Sequence, residues 1–286
     1  MKIDLHCHST ASDGIRSPQE LVNAAVINGL EVLSLTDHDS TENLDAVKQL
    51  CQESAIFFIP GIELSCEYNN ESIHILGYFN NLDYQNPILS QRLLKFREHR
   101  DNRALEIAHR LKKYFDIDID LTDLSRPEGS SLGRPHIAAL IQNKYRLEIP
   151  EIFARYLGNH SKAYIPSSRI PIQSGISMLK EAGATVILAH PGNYKVSLTD
   201  LLQWDFDGVE CYYATHTPEQ TAHFKEICQS MGRLITCGSD DHGHPMDEKH
   251  GRLGETAFMM EDVMPFLSRF GFKPNETPSS NIQITK

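Results

Sequence analysis

Clusters of histidine and acid recur at the ends of apolar, strand-like runs along almost the whole chain. They are His6-Cys7-His8 with Asp13, Asp37-His38, Ala189-His190-Pro191 and Ser239-Asp240-Asp241-His242, joined by Glu63 and His74. This feature constrains the fold more than any other, because burying many imidazoles and carboxylates is costly unless they are paired or coordinated. Stretches far apart in the chain must come together. Side chains on a strand repeat direction every second residue, so His6 and His8 point one way and Cys7 the other, and Asp240 goes with His242. A lone His-x-His is usually only a polar strand face. The company of His6, His8, Asp13, His38, Glu63, His74, His190, Asp240 and His242 points instead to a multinuclear centre for zinc, manganese or iron, with hydrolysis as its chemistry.

The spacing between these clusters predicts an α/β protein. Lys2 to His6 reads as a strand. Ser17-Pro18-Gln19-Glu20 combines a cap, a proline at the first helical position and a glutamate three after the cap, which predicts a helix from Pro18 to about Asn28 ended by Gly29. Further strands are expected at Glu31 to Thr36, Ile56 to Leu64 and Ser72 to Phe79, with Ser40 capping a helix that runs to about Glu53. Strands alternating with helices imply parallel pairing, with the working residues where the strands end. From about Pro87 to Tyr164 strand signals vanish, and Leu89 to Tyr114 is a long amphipathic helix rich in arginine. The alternation resumes with a helix near Ile172 to Ala182, strands at Thr185 to Ala189, Gly208 to Tyr212 and Leu234 to Cys237, and a helix near Pro218 to Met231. Thr256 to Met260 adds an expected edge strand. Residues 273–286 read as a frayed tail.

Composition narrows the function classes. A chain of 286 residues with 40% hydrophobic content can bury a large core. The formal charge of −11 excludes a general basic surface for long duplex nucleic acid, yet leaves room for a small anionic substrate at a cationic centre. No apolar run reaches membrane length and the opening residues lack a leader pattern, so a soluble cytoplasmic protein is expected. Six cysteines without close-spaced pairs read as reduced thiols.

The series Asp4-Leu5-His6-Cys7-His8-Ser9, Ser12-Asp13-Gly14, Leu35-Thr36-Asp37-His38, Pro60-Gly61-Ile62-Glu63, His74-Ile75-Leu76-Gly77, Ala189-His190-Pro191 and Gly238-Ser239-Asp240-Asp241-His242 resembles the polymerase and histidinol phosphatase (PHP) family of metal-dependent phosphoesterases. The resemblance implies a distorted seven-stranded (β/α)7 barrel, formed by 1–86 and 165–272, with 87–164 as a helical cap insertion. It implies three divalent ions, manganese first with iron or zinc as alternatives. His6, His8, Glu63 and Asp240 would hold the first, Glu63, His74 and His190 the second, and Asp13, His38 and His242 the third. The nucleophile would be a metal-bound hydroxide held among Glu63, Asp13 and His242. Asp4, Asp37 and Asp241 would orient histidines, or merely cap or solvate; Asp241 departs from the small or apolar residue expected there, which leaves its role open.

Within the family, Arg100-Asp101-Asn102-Arg103-Ala104, Gly133-Arg134-Pro135-His136-Ile137 and Lys162-Ala163-Tyr164-Ile165-Pro166 are similar to the cap of the bacterial nucleoside 3',5'-bisphosphate phosphatases, a branch that includes 5'-to-3' exoribonucleases. Arg100, Arg103, Arg134 and His136 would then bind a substrate phosphate, against the plainer reading of ordinary surface arginines. The implied reaction is removal of the 3'-phosphate from a nucleotide such as pAp, or trimming of short 5'-phosphorylated RNA. A histidinol-phosphatase-type monoesterase and a non-catalytic metal-binding module are the rival readings. His99, His109, His160, His216, His223, His244 and His250 match no motif and read as structural or exposed, and Tyr194 and Tyr212 as base-stacking or core residues.

Overall fold

A computed structural model describes residues 1–124, 132–166, 169–245, 247 and 249–274. In chain order the elements are β1 (Lys2–Asp4), α1 (Pro18–Asn28), β2 (Leu30–Leu33), α2 (Leu44–Glu53), β3 (Phe57–Phe58), β4 (Gly61–Tyr68), β5 (Glu71–Tyr78), α3 (Pro87–Phe115), α4 (Arg134–Tyr145), α5 (Ile149–Ile152), β6 (Ile170–Pro171), α6 (Ile172–Glu181), β7 (Thr185–Leu188), α7 (Leu198–Leu201), β8 (Gly208–Tyr213), α8 (Pro218–Ser230), β9 (Leu234–Gly238) and α9 (Met260–Arg269). The α/β class is as expected. Helix α1 starts on the predicted capping box, with the Ser17 amide donating to Glu20 at 2.8 Å, and stops at Gly29 in the left-handed region.

Two sheets carry the described strands, in the orders β1-β2-β3 and β6-β4-β5-β7-β8-β9. The small sheet is parallel, as predicted. The large one is mixed, because β5 pairs antiparallel with both β4 and β7. This corrects the expectation of uniformly parallel pairing. The cause is local: Asn69 and Asn70 between β4 and β5 both take positive φ, 51° and 61°, and such a two-residue turn folds a strand back on its predecessor. Backbone hydrogen bonds join the sheets at two places. The Leu5 amide donates to Cys237 at 3.2 Å and the Gly61 amide to Leu35 at 3.1 Å.

Two other expectations change. Ser40 caps no helix: α2 begins at Leu44 with Asn43 before it, and the Ser40 hydroxyl accepts from the Glu42 amide at 3.3 Å. Residues 256–259 form no strand, and Met259 leads into α9, a helix that the sequence reading passed over. Its apolar side, Val263, Phe266 and Leu267, is fully buried, so tertiary burial decides the helix despite Pro265 within it. The predicted fraying tail falls mostly on residues 275–286, outside the described residues.

Buried apolar residues form two clusters. One, from Ile3 to Leu267, packs about the sheets; the other, from Ala104 to Ala163, lies among α3, α4 and α5. All six cysteines are buried and unbridged. Among the described residues no helix is long and apolar enough to cross a membrane.

Candidate metal centre

The chain just beyond β1 runs alongside the chain just beyond β9. The Asp240 amide donates to the His6 carbonyl at 2.7 Å and the His8 amide to the Asp241 carbonyl at 2.9 Å, with Cys7 and Asp241 in parallel register. Alternation along this pair puts His6, His8, Asp240 and His242 on one side. The same device continues past β2, where His38 pairs in parallel with Glu63 of β4. His74 comes from β5 and His190 follows β7. His190 and Asp240 have φ of 27° and 59°, sparsely populated values for side-chain-bearing residues and a mark of functional strain. Gly238 makes room: a Cβ there would lie 2.3 Å from the His6 Cβ and 2.4 Å from Glu210 Oε1.

Glu63 is the hub. Its Oε1 lies 2.8 Å from His74 Nδ1 and 3.1 Å from His190 Nε2; its Oε2 lies 2.9 Å from His38 Nδ1, 3.3 Å from His8 Nε2 and 3.4 Å from His6 Nε2. Asp240 Oδ1 sits 2.9 Å from His8 Nε2, and Asp13 Oδ1 3.3 Å from His242 Nε2. Many of these close pairs lack hydrogen-bond alignment. His6 Nε2, His8 Nε2, Asp13 Oδ1, His38 Nδ1, Glu63 Oε2 and Asp240 Oδ1 are all buried without a hydrogen-bond partner. Orphaned buried donors and acceptors are rare and costly, and a shared cation satisfies them together.

Ligand atoms of His6, His8, Glu63 and Asp240 lie within 4.8 Å of one another, as do those of His8, Asp13, His38 and His242, and of His38, Glu63 and His74. The nitrogen and oxygen donors suit a borderline divalent ion.

The electrostatics agree. Burial alone would depress His6, yet Glu210, Asp240 and Glu63 hold it well above the usual imidazole range. Burial is likewise outweighed at His8, which Asp240 and Glu63 push up to about 10. Burial would raise Asp13, Glu63 and Asp240, but the neighbouring histidines hold all three well below the usual carboxylate range. Burial wins at His74, which is lowered. Protons on histidine thus neutralise the carboxylates, and ligation by imidazole releases them.

Residues 4–183 match the PHP domain. The chain belongs to the PHP family. A 5'-3' exoribonuclease of Haemophilus influenzae is 30% identical over 287 residues, spanning 94% of this chain and 99% of its own. A 3',5'-nucleoside bisphosphate phosphatase of Chromobacterium violaceum is 28% identical, spanning 92% and 93%. A solved structure described as a metal-dependent phosphoesterase from Bifidobacterium adolescentis superposes with a TM-score of 0.82 at 28% identity, covering 93% of this chain and 96% of that one. This PHP protein is accordingly a phosphoesterase, and its histidine and acid cluster is a site for divalent metal.

Around the PHP centre stand residues that sequence reasoning did not single out. Glu210 is fully buried on β8; its Oε1 lies 3.0 Å from His6 Nδ1, and its Oε2 accepts from the His190 amide at 2.9 Å. By engaging Nδ1 it turns Nε2 of His6 toward Glu63 and Asp240. The available signal was a single acid inside the apolar run Gly208-Val209-Glu210-Cys211-Tyr212. The Tyr213 hydroxyl donates to Asp240 Oδ2 at 2.9 Å. Tyr194 is taken up by the centre, its hydroxyl 3.1 Å from His190 Nδ1 and 3.0 Å from the His74 amide, while the Tyr212 hydroxyl donates to Asp262 at 2.5 Å.

The three remaining acids are all buried. Asp37 reaches His8 through Ser12, whose hydroxyl donates to it at 2.6 Å and lies 3.3 Å from His8 Nδ1. Asp4 accepts from the amides of His6, Ser239 and Gly254, tying strand ends together. Asp241 pairs with Arg16. Of the histidines without a motif, His216 lies 3.0 Å from the Cys211 carbonyl and His250 stacks on His242; the latter brings a residue read as peripheral against the centre.

In the cap region Arg100 contacts Asp39 and donates to the Ser65 hydroxyl at 2.8 Å. Arg103 donates to the Ile165 carbonyl at 2.9 Å, and Arg134 to the Leu157 carbonyl at 3.1 Å and Asn159 at 3.0 Å. Among the described residues neither Arg103 nor Arg134 has a carboxylate partner. Burial, Arg134 and Arg100 bring Arg103 down to about 10, and burial lowers Arg134. His136 accepts from the Gly133 amide at 3.1 Å at the start of α4.

Proposed function

We propose that the protein hydrolyses the 3'-phosphate of a nucleoside 3',5'-bisphosphate such as pAp, and that the same site trims short 5'-phosphorylated RNA from its 5' end. One observation carries the bisphosphate reading. Arg103 and Arg134 are half-buried and without a carboxylate partner among the described residues, and the charge of Arg134 adds to burial in depressing the proton affinity of Arg103. Desolvated guanidinium groups of this kind call for an anion, and phosphate matches their planar fork. Arg100, whose charge also acts on Arg103, is bonded to Asp39 beside His38, so the cationic group borders the strand ends of the centre. The names of the Haemophilus and Chromobacterium relatives support both substrates.

In this reading residues 1–86 and 165–272 form a distorted seven-stranded barrel, supported by the hydrogen bonds that join the two sheets, and residues 87–164 form a cap with its own apolar cluster. His6, His8, Glu63 and Asp240 hold one divalent ion, Glu63, His74 and His190 a second, and Asp13, His38 and His242 a third, with manganese preferred. Such ions lower the pKa of a coordinated water and draw charge from phosphoryl oxygens. Glu63 offers one carboxylate oxygen to each of two histidine groups, which fits a bridging role. The side chains of Asp13, His38 and His74 are 21%, 14% and 25% exposed, whereas those of His6 and Glu63 are sealed. Substrate therefore enters on the side of Asp13, His38 and His74, and Asp13 and His242 frame the scissile phosphate. Arg103 and Arg134 hold the 5'-phosphate and set the orientation on which much of the rate depends.

Hydrolysis of pAp and of simple nucleoside monophosphates, measured side by side with manganese, tests this reading. A large preference for pAp is expected. Equal rates would favour a monoesterase of histidinol-phosphatase type and defeat the proposal.

A further inference from the structure

Beside the centre stand two residues that the proposed reaction does not use. Asp247 Oδ2 lies 2.8 Å from His250 Nδ1, and Asp247 Oδ1 accepts from the amides of Lys249 at 2.9 Å and His250 at 3.3 Å. The carboxylate therefore fixes the ring and leaves Nε2 free, 3.8 Å from Asp240 Oδ2. The ring lies on that of His242, with centroids 4.4 Å apart and planes at 28°. The backbone is pinned next door, where the Gly251 amide donates to the Ser239 carbonyl at 2.8 Å. A Cβ at Gly251 would come within 2.4 Å of Ala214 Cβ and 2.9 Å of the Ser239 oxygen, so glycine allows this close approach. One ligand atom each of His242, Asp247 and His250 lie within 4.8 Å of one another.

We propose that His242, Asp247 and His250 form a further position for a divalent cation, occupied in alternation with the one among Asp13, His38 and His242. The inference rests on the reading of His242 as a metal ligand. His242 Nδ1 lies 2.8 Å from the Asp240 carbonyl, an acceptor, so this nitrogen carries the proton. Only Nε2 remains, 3.3 Å from Asp13 Oδ1. A single lone pair serves one cation at a time, so the two positions exclude each other. Two imidazoles and a carboxylate suit zinc, manganese or iron, and three protein ligands leave a coordination place open for exchange. The position is also reachable: the side chains of Asp247 and His250 are 17% and 29% exposed, against none for His6. It is a station at the mouth of the centre, through which the outermost ion enters and leaves.

Ions per chain, measured by elemental analysis after equilibrium dialysis against zinc, test the alternation. His250→Gln alone should hold as many ions as the wild type. Asp13→Ala should also keep that number, because the displaced ion moves to His242, Asp247 and His250. The doubles Asp13→Ala/His250→Gln and Asp13→Ala/Asp247→Asn should each hold one ion fewer, and two different partners guard against a folding defect in either. An Asp13→Ala chain that has already lost an ion, or doubles that hold as many as Asp13→Ala, would overturn this inference alone. A wild-type chain that takes up no zinc would instead sink the ligand reading, and this one with it.

Discussion

The centre and the cap place buried charge in opposite ways. At the centre, His6, His8 and Glu63 are fully buried, met by His38, His74, His190, Glu210 and Asp240 from separate stretches of chain, and left with orphaned atoms close to one another. In the cap, Arg103 and Arg134 are only half-buried and rest on carbonyl oxygens, which a phosphate can replace without stranding a carboxylate. The contrast teaches that the histidine and acid centre is over-determined by its scaffold, whereas the arginines that the proposal assigns to the substrate are left weakly committed. Preorganisation where charge develops and adaptability where identity is read is a division that electrostatic catalysis favours.

The largest effects should follow from breaking the centre. Glu63→Gln or His242→Ala should cut turnover about a thousandfold or more, a loss of roughly 4 kcal/mol of transition-state stabilisation. Retention of near-normal kcat by either would end the comparison, since the centre would then be no centre. Next comes Glu210→Gln, which leaves the ligands in place but loosens His6. A drop in metal affinity of about tenfold to a hundredfold is expected, read by titration with a competing chelator. Unchanged affinity would mean that the scaffold around His6 is less decisive than its burial suggests.

Arg134→Ala sharpens the other side. It should lower kcat/KM for pAp by roughly tenfold to a hundredfold, the scale of a charged hydrogen bond, while a simple monophosphate reacts as before. Equal losses on both substrates would contradict the division between holding and reading. A smaller effect, about threefold to tenfold, is expected for Asp39→Asn, which frees Arg100 from the strand ends but removes no ligand. The loss should appear in the KM for the bisphosphate, with the number of bound ions unchanged.

The most gradual change is with pH. The folded-state pKa of His8 is raised to about 10 in the metal-free protein. A raised imidazole contributes stability that is fully present below about pH 6.5 and is lost as pH climbs toward 10. Metal binding expels that proton, so the melting-temperature gain on adding metal should widen from pH 6.5 upward. A gain that stays flat over that window would show that His8 does not hand over a proton.

Much of this was legible in the residues themselves. The pairings of His6 with His8 and Asp240 with His242 follow from the two-residue period of an extended chain, whatever it packs against. The capping box at Ser17 and Glu20 is as local, and α1 begins where it says. Other features were present but overridden or muted. Asn69-Asn70 announces a hairpin, yet the alternation of strands and helices suggested parallel pairing, and the turn won. Helix α9 carries Pro265 within it and forms because Val263, Phe266 and Leu267 find a buried surface.

By itself, then, the order of residues determined an α/β chain, the members of a histidine and acid cluster and an arginine-rich helical stretch, since these depend on short-range geometry and on the cost of burying charge. Only the tertiary structure decided that Glu210 turns His6, that Arg100 is tied to Asp39 beside His38, and that His250 lies on His242. Those contacts join residues from separate elements, and which distant groups meet depends on the packing of the whole sheet and its helices rather than on any property of the segments that carry them.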